Sequence, residues 1–118
     1  MHEMSFATQI LACVQRTAEV YPGATVSRVR VGAGILLALN EASLSFCLHA
    51  IAGGTVMEHA VLEMETLPLV AECPRCGPVD AGGAPVTECP HCGRPVTVTG
   101  GSDLIVEEIE LNEQDGQS

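Results

Sequence analysis

The chain has 118 residues, 47% of them hydrophobic, which suits one ordinary domain or a small domain with a smaller module attached, and excludes wholesale disorder. Fifteen acidic residues against five arginines and no lysine give a net charge of −10, which argues against a nucleic-acid binder, since phosphates demand a basic footprint. The longest apolar run, Val31 to Leu39, falls far short of the roughly 20 residues a membrane span needs, and the opening MHEMS lacks the basic-then-apolar pattern of a secretory signal, so a cytoplasmic protein without a membrane role is expected.

In chain order, Ser5 is the expected N-cap of a first helix, whose apolar stripe is Phe6, Ala7, Ile10, Leu11, Val14 and Ala18 and which Pro22-Gly23 ends. Val29 and Val31 alternate with Arg28 and Arg30, the pattern of a strand with one wet face. Gly32 and Gly34 loosen the chain into a turn, and a greasy stretch, Ile35 to Leu39, follows. Asn40 then caps a second helix striped by Leu44, Cys47, Leu48 and Ile51 and stopped by Gly53-Gly54. Leu62 and Met64 alternate with Glu63 and Glu65 in a second strand. From Pro68 to Gly101 the composition turns to Cys, Pro and Gly. A last strand runs from Asp103 to Leu111, with a break in parity between Val106 and Ile109 that predicts a bulge.

A two-stranded sheet is marginal alone, so the first domain needs that last strand. The expected fold is therefore α+β: a small mixed sheet with two helices over residues 1–67, completed by strand 102–112, with residues 68–101 inserted as a separate lobe and 113–118 a flexible tail. Arg28 and Arg30 are expected to face Glu63, Glu65, Glu108 or Glu110 across the wet side of the sheet.

The inserted lobe carries Cys73-Pro-Arg-Cys76 and Cys89-Pro-His-Cys92, each followed by glycine and separated from each other by twelve residues. Two cysteines three apart close on one ion through a tight turn; proline fixes φ there, and Gly77 and Gly93 permit positive φ. Doubled C-P-x-C-G units read as a zinc ribbon. Four thiolates leave no open coordination position, so the zinc at Cys73, Cys76, Cys89 and Cys92 is expected to be structural, with Arg75 and Arg94 offsetting its surplus negative charge.

The other informative feature is Met1-His2-Glu3. Methionine is expected to stay in place before a residue as large as histidine. The α-amine of Met1, the amide nitrogen of His2 and the His2 imidazole can then close fused chelate rings on Ni(II) or Cu(II), whose d-electrons favour near-planar nitrogen sets. Glu3 can add a nitrogen or a carboxylate oxygen. Amine and imidazole must both shed protons to bind, so affinity should fall as pH drops through the histidine range.

Met1-His2-Glu3-Met4-Ser5, followed in order by a helix, the Val29–Val31 strand, a glycine-containing turn, a helix, a strand, the doubled C-x-x-C ribbon and an acidic strand at Ile109-Glu110, resembles the start and layout of the HypA family. These are nickel metallochaperones of nickel–iron hydrogenase maturation. The resemblance covers nearly the whole chain. It implies Ni2+ as transported cargo at Met1, His2 and Glu3, structural Zn2+ at the four cysteines, and no enzymatic activity. It also implies delivery with a HypB-type GTPase to the hydrogenase large subunit, with urease maturation factors as partners of some members, by a monomer or homodimer. Asn40 stands where some members carry an acidic residue able to approach nickel, and neighbouring Glu41 can substitute for it. The Ile35–Leu39 stretch is greasier than the usual turn, as a partner surface or oligomer contact would be.

A zinc-ribbon adaptor or nucleic-acid-binding module without a nickel role is the alternative, and a redox ribbon holding iron is a third. Cys13 and Cys47 read as small buried hydrophobes, His49 and His59 as surface and loop residues, and His91 as a solvent-facing residue of the second knuckle.

Overall fold

The computed structural model describes residues 2–79 and 86–112, with the backbone alone at His2. The expected tail 113–118 lies outside the described residues. The element order is α1 (His2–Ala18), β1 (Thr25–Gly34), a 3₁₀ turn (Ile35–Leu37), α2 (Glu41–Ala52), β2 (Val61–Leu67), β3 (Val70–Cys73), β4 (Gly77–Val79), β5 (Thr97–Gly100) and β6 (Leu104–Asn112). The class is α+β, with two α-helices and two three-stranded sheets among the described residues, ordered β2-β1-β6 and β4-β3-β5. The chain divides into two compact units, one of Met1–Gly32, Leu39–Glu65 and Ile105–Ser118, the other of Ala33–Ala38 and Thr66–Leu104.

In the first unit, Ala7, Ile10, Val14 and Ala18 recur at helical spacing on α1 and are all buried. Helix α1 packs against α2, which contributes Leu44, Leu48 and Ala52 to the same core. Val26, Val29 and Val31 of β1 and Leu62 of β2 complete it, with Met57 and Ala60 from the α2–β2 connection.

Helix α1 begins before Ser5, which is an exposed residue of its interior and not the cap. The reason is local: Glu3 brings a carboxylate to the positively polarised end, and no glycine or β-branched residue opposes helix from His2 to Met4. The helix also stops at Ala18, ahead of Pro22-Gly23, where Val20 and Tyr21 donate to Thr17 and Ala18 carbonyls at 3.2 and 2.9 Å and tighten the last turn. Helix α2 begins as its sequence indicates: the Asn40 side-chain oxygen accepts from the Ser43 N–H at 2.9 Å.

Strand β6 carries the expected change of parity. Leu104, Val106, Ile109 and Leu111 are its half-buried positions, so the inward face slips between Val106 and Ile109. Glu107 and Glu108 both come within 3.8 Å of Arg30, and Arg28 lies 3.3 Å from Glu63 and 3.5 Å from Glu110. These exposed pairs fix register more than they add stability. Glu65 is not paired with either arginine among the described residues.

Two cysteines differ from expectation and one histidine adds a contact to it. Cys13 and Cys47 are half-buried, at the margins of their helical stripes. His49 is on the surface, yet its Nε2 lies 3.0 Å from the Ala60 carbonyl oxygen, tying α2 to the loop before β2.

The second unit is a small antiparallel sheet with Ala71↔Val79 and Cys73↔Gly77 on one side of β3 and Ala71↔Val98 and Glu72↔Thr97 on the other. Residues 33–38 group with this unit, although the apolar pattern puts them with the first. The Gly34 N–H donates to the Asp103 carbonyl at 2.8 Å and the Leu36 N–H to Gly101 at 2.9 Å. Gly32 and Gly34 are thus strand residues of β1, not a turn.

Candidate metal centre

The four cysteines of the ribbon converge. Their Sγ atoms all lie within 4.8 Å of one another, with Cys73 and Cys92 at 3.5 Å. Sulfurs placed tetrahedrally about 2.3 Å from a zinc ion would stand about 3.8 Å apart, so the group fits that ion. Each knuckle gives one buried sulfur residue, Cys73 or Cys89, and one exposed, Cys76 or Cys92.

The two knuckles repeat one local design. The N–H two residues past the first cysteine, that of Arg75 or His91, donates to the buried sulfur at 3.4 Å in both. Gly77 and Gly93 follow at φ +87° and +75°, which a side chain would oppose. The second knuckle is also closed by Gly93 N–H to Cys89 O and Cys89 N–H to Arg94 O, each 2.8 Å. His91 is exposed, as expected of a residue at the tip.

Such crowding separates the thiols electrically. Backbone N–H groups of Cys76 and Arg75 lower the Cys73 pKa to about 6, whereas hydrogen bonds with the Cys92 and Cys89 side chains raise that of Cys76 to about 12. One thiolate forms readily and its neighbour resists a second negative charge. A bound dication removes that resistance, so the donor set is matched to a metal ion.

Of the predicted nickel residues, Met1 and the side chain of His2 lie outside the described residues. His2 and Glu3 open α1, where backbone N–H groups have no intrahelical acceptor. The Glu3 carboxylate accepts from the Asn40 N–H at 3.4 Å, which brings the first turn of α1 to the cap of α2. The Asn40 amide oxygen is occupied by the cap, and Glu41 accepts from the Met64 N–H at 3.0 Å. Residues Glu3, Met4, Ala42, Ser43, Phe46 and Cys47 line a groove of about 520 Å³, and Phe46 beside it is 75% exposed. The alternation of apolar residues on α2 hints at this groove, because the helix is apolar on more faces than one core can cover.

Comparison with known proteins agrees with this layout. A family model described as hydrogenase/urease nickel incorporation, metallochaperone, HypA matches residues 1–111. Hydrogenase maturation factor HypA of Chlorobium limicola is 37% identical over 98% of this chain and 100% of its own. The factor of the same name from Archaeoglobus fulgidus is 38% identical over 92% of this chain and 96% of its own. The solution structure of the Ni metallochaperone HypA from Helicobacter pylori superposes with a TM-score of 0.71 at 19% identity, covering 95% of this chain and 98% of that one, a likeness of fold. Matched along almost its entire length by the family model and by full-length relatives, the chain belongs to the HypA family of nickel metallochaperones for hydrogenase maturation.

Proposed function

We propose that this protein captures Ni(II) through Met1, His2 and Glu3, holds structural zinc at Cys73, Cys76, Cys89 and Cys92, and passes the nickel on to the large subunit of a nickel–iron hydrogenase. A HypB-type GTPase is the partner in that delivery, which takes place in the cytoplasm, and the protein acts as carrier, not catalyst. The observation that carries the reading is the placement of Glu3 on the first turn of α1, held against the α2 cap by the Asn40 N–H. Glu3, one member of the set, is oriented by that hydrogen bond, and an oriented ligand favours capture. Donors at that end are the α-amine, amide and imidazole nitrogens and a carboxylate, which suit Ni(II) and exchange it more freely than four thiolates exchange zinc. The groove that Glu3 shares with Met4 and Phe46 supports docking of the receiving protein beside the cargo.

Calorimetric titration of untagged protein with Ni(II), with zinc measured in parallel, tests this. His2→Ala is expected to abolish nickel binding and leave zinc content unchanged, and residues fused ahead of Met1 are expected to weaken nickel in the same way. Unchanged nickel affinity in His2→Ala would overturn the reading.

A further inference from the structure

The chain has five basic residues, and the ribbon unit holds two of them, Arg75 and Arg94. In the first unit Arg28 and Arg30 are consumed by Glu63, Glu107, Glu108 and Glu110. Among the described residues the guanidinium groups of Arg75 and Arg94 have neither an ion pair nor a hydrogen bond, although Glu72, Glu88 and Asp103 lie in the same unit. Instead both line an open cleft of about 720 Å³ with Pro74, Pro95, Val96 and Thr97.

The knuckles fix both arginines at the backbone. The Arg75 N–H is bonded to the Cys73 sulfur and the Arg94 carbonyl accepts from the Cys89 N–H. Two planar guanidinium forks carried on backbone positions that the knuckles fix suit carboxylates, which they can grip bidentately. Pro74 and Pro95 supply rigid apolar walls with no N–H of their own to satisfy. No aromatic side chain lines the cleft, so a nucleobase finds no stacking platform there. The rest of the chain is strongly acidic, so a carboxylate-rich segment is repelled elsewhere and accepted here, which gives one orientation of docking.

We propose that the cleft between Arg75 and Arg94 is a docking site for an extended, carboxylate-rich segment of a partner protein. The site belongs to the ribbon unit, and the proposal does not rest on the proposed nickel ligands. The test is fluorescence anisotropy with the zinc-loaded full chain and a labelled hexaglutamate peptide, with hexaglutamine as its uncharged counterpart. Hexaglutamate is expected to bind saturably and several-fold more weakly at 200 mM than at 50 mM salt, and hexaglutamine at least tenfold more weakly than hexaglutamate. Arg75→Gln with Arg94→Gln should weaken hexaglutamate at least tenfold with zinc content unchanged, Arg75→Lys with Arg94→Lys should recover only part of it, and Arg16→Gln should have no effect.

Undiminished binding by the double glutamine variant, or no saturable binding by the parent, would overturn the proposal. Loss of zinc from that variant would assign the arginines to the metal centre and overturn it too. So would a self-association of the parent that the variant abolishes, which would make the occupant a second copy, or tighter binding of a single-stranded oligonucleotide than of hexaglutamate.

Discussion

At Gly34 a β-carbon would fall 2.2 Å from both the carbonyl carbon and oxygen of Gly101 and 2.6 Å from the Ser102 nitrogen. All three neighbours are backbone, so no side chain can swing away to make room. Gly101 answers in kind: its φ is +96°, and a β-carbon there would meet the Leu69 Cα at 2.8 Å. The crossing of these two segments is thus closed to any side chain. Gly34→Ala is expected to destabilise the zinc-loaded protein by about 3 kcal/mol or more, at the upper end of what overpacking costs. Gly53, with φ −59° and nothing within 4 Å of its would-be β-carbon, is the internal control. Gly53→Ala should be neutral or add up to about 1 kcal/mol by restricting the unfolded chain. Denaturant unfolding of the two variants in parallel checks both, and equal stabilities would refute the steric account.

The elements that could be read from sequence are those whose causes are local. Asn40 three residues before Ser43 states its own cap, and alternation at Val29–Val31 and the slip between Val106 and Ile109 state the strands and the change of inward face. The doubled C-P-x-C-G states both knuckles, down to positive φ at the glycine after each. What was not legible depends on distant partners. Gly34 signals a turn by composition, and its bond to Asp103, far along the chain, holds it at the end of β1. The Arg75–Arg94 cleft likewise joins residues from two knuckles, and the first turn of α1 meets Asn40 across 37 positions.

The knuckle, as an element, also makes a pH prediction. Cys73, lowered from 9.0 to about 6, adds stability that is complete above pH 9 and is lost as pH falls through about 6. Cys76, raised to about 12, works the other way: its contribution is complete below pH 9 and is lost as pH rises towards 12. Without metal, near neutrality Cys73 is ionised and Cys76 keeps its proton, so of the two only Cys73 makes stability depend on pH there. A dication displaces that proton, so zinc binding at pH 7 should release at least the Cys76 proton, and zinc affinity should fall as pH is lowered from 8 to 5. Calorimetry in buffers of different ionisation enthalpy, with a chromophoric chelator to follow affinity, reads both quantities. Proton release of zero at pH 7 would refute the account.

At the scale of the whole molecule, the two units are stabilised by different physics. Ile10, Leu44, Leu48, Met57, Val14, Val29 and Val31, the largest fully buried side chains among the described residues, belong without exception to the first unit. The buried apolar residues described in the second are Ala33, Ala71, Cys73 and Cys89, none larger than cysteine and two of them sulfur donors. So small an apolar core leaves metal coordination as the main source of folding energy there. Helices α1 and α2, by contrast, lie in the first unit and pack on each other. Chelation of zinc from the intact protein should therefore strip protection from the backbone amides of β3 and β5 and leave the helical circular-dichroism signal near 222 nm almost unchanged. Cys89→Ser should reproduce the same split without a chelator. Hydrogen exchange resolved by residue, read beside circular dichroism on one sample, measures both units at once. A cooperative loss of α1 and α2 together with the ribbon would show that the apolar core cannot stand without the metal, and would contradict the division of labour that the burial pattern indicates.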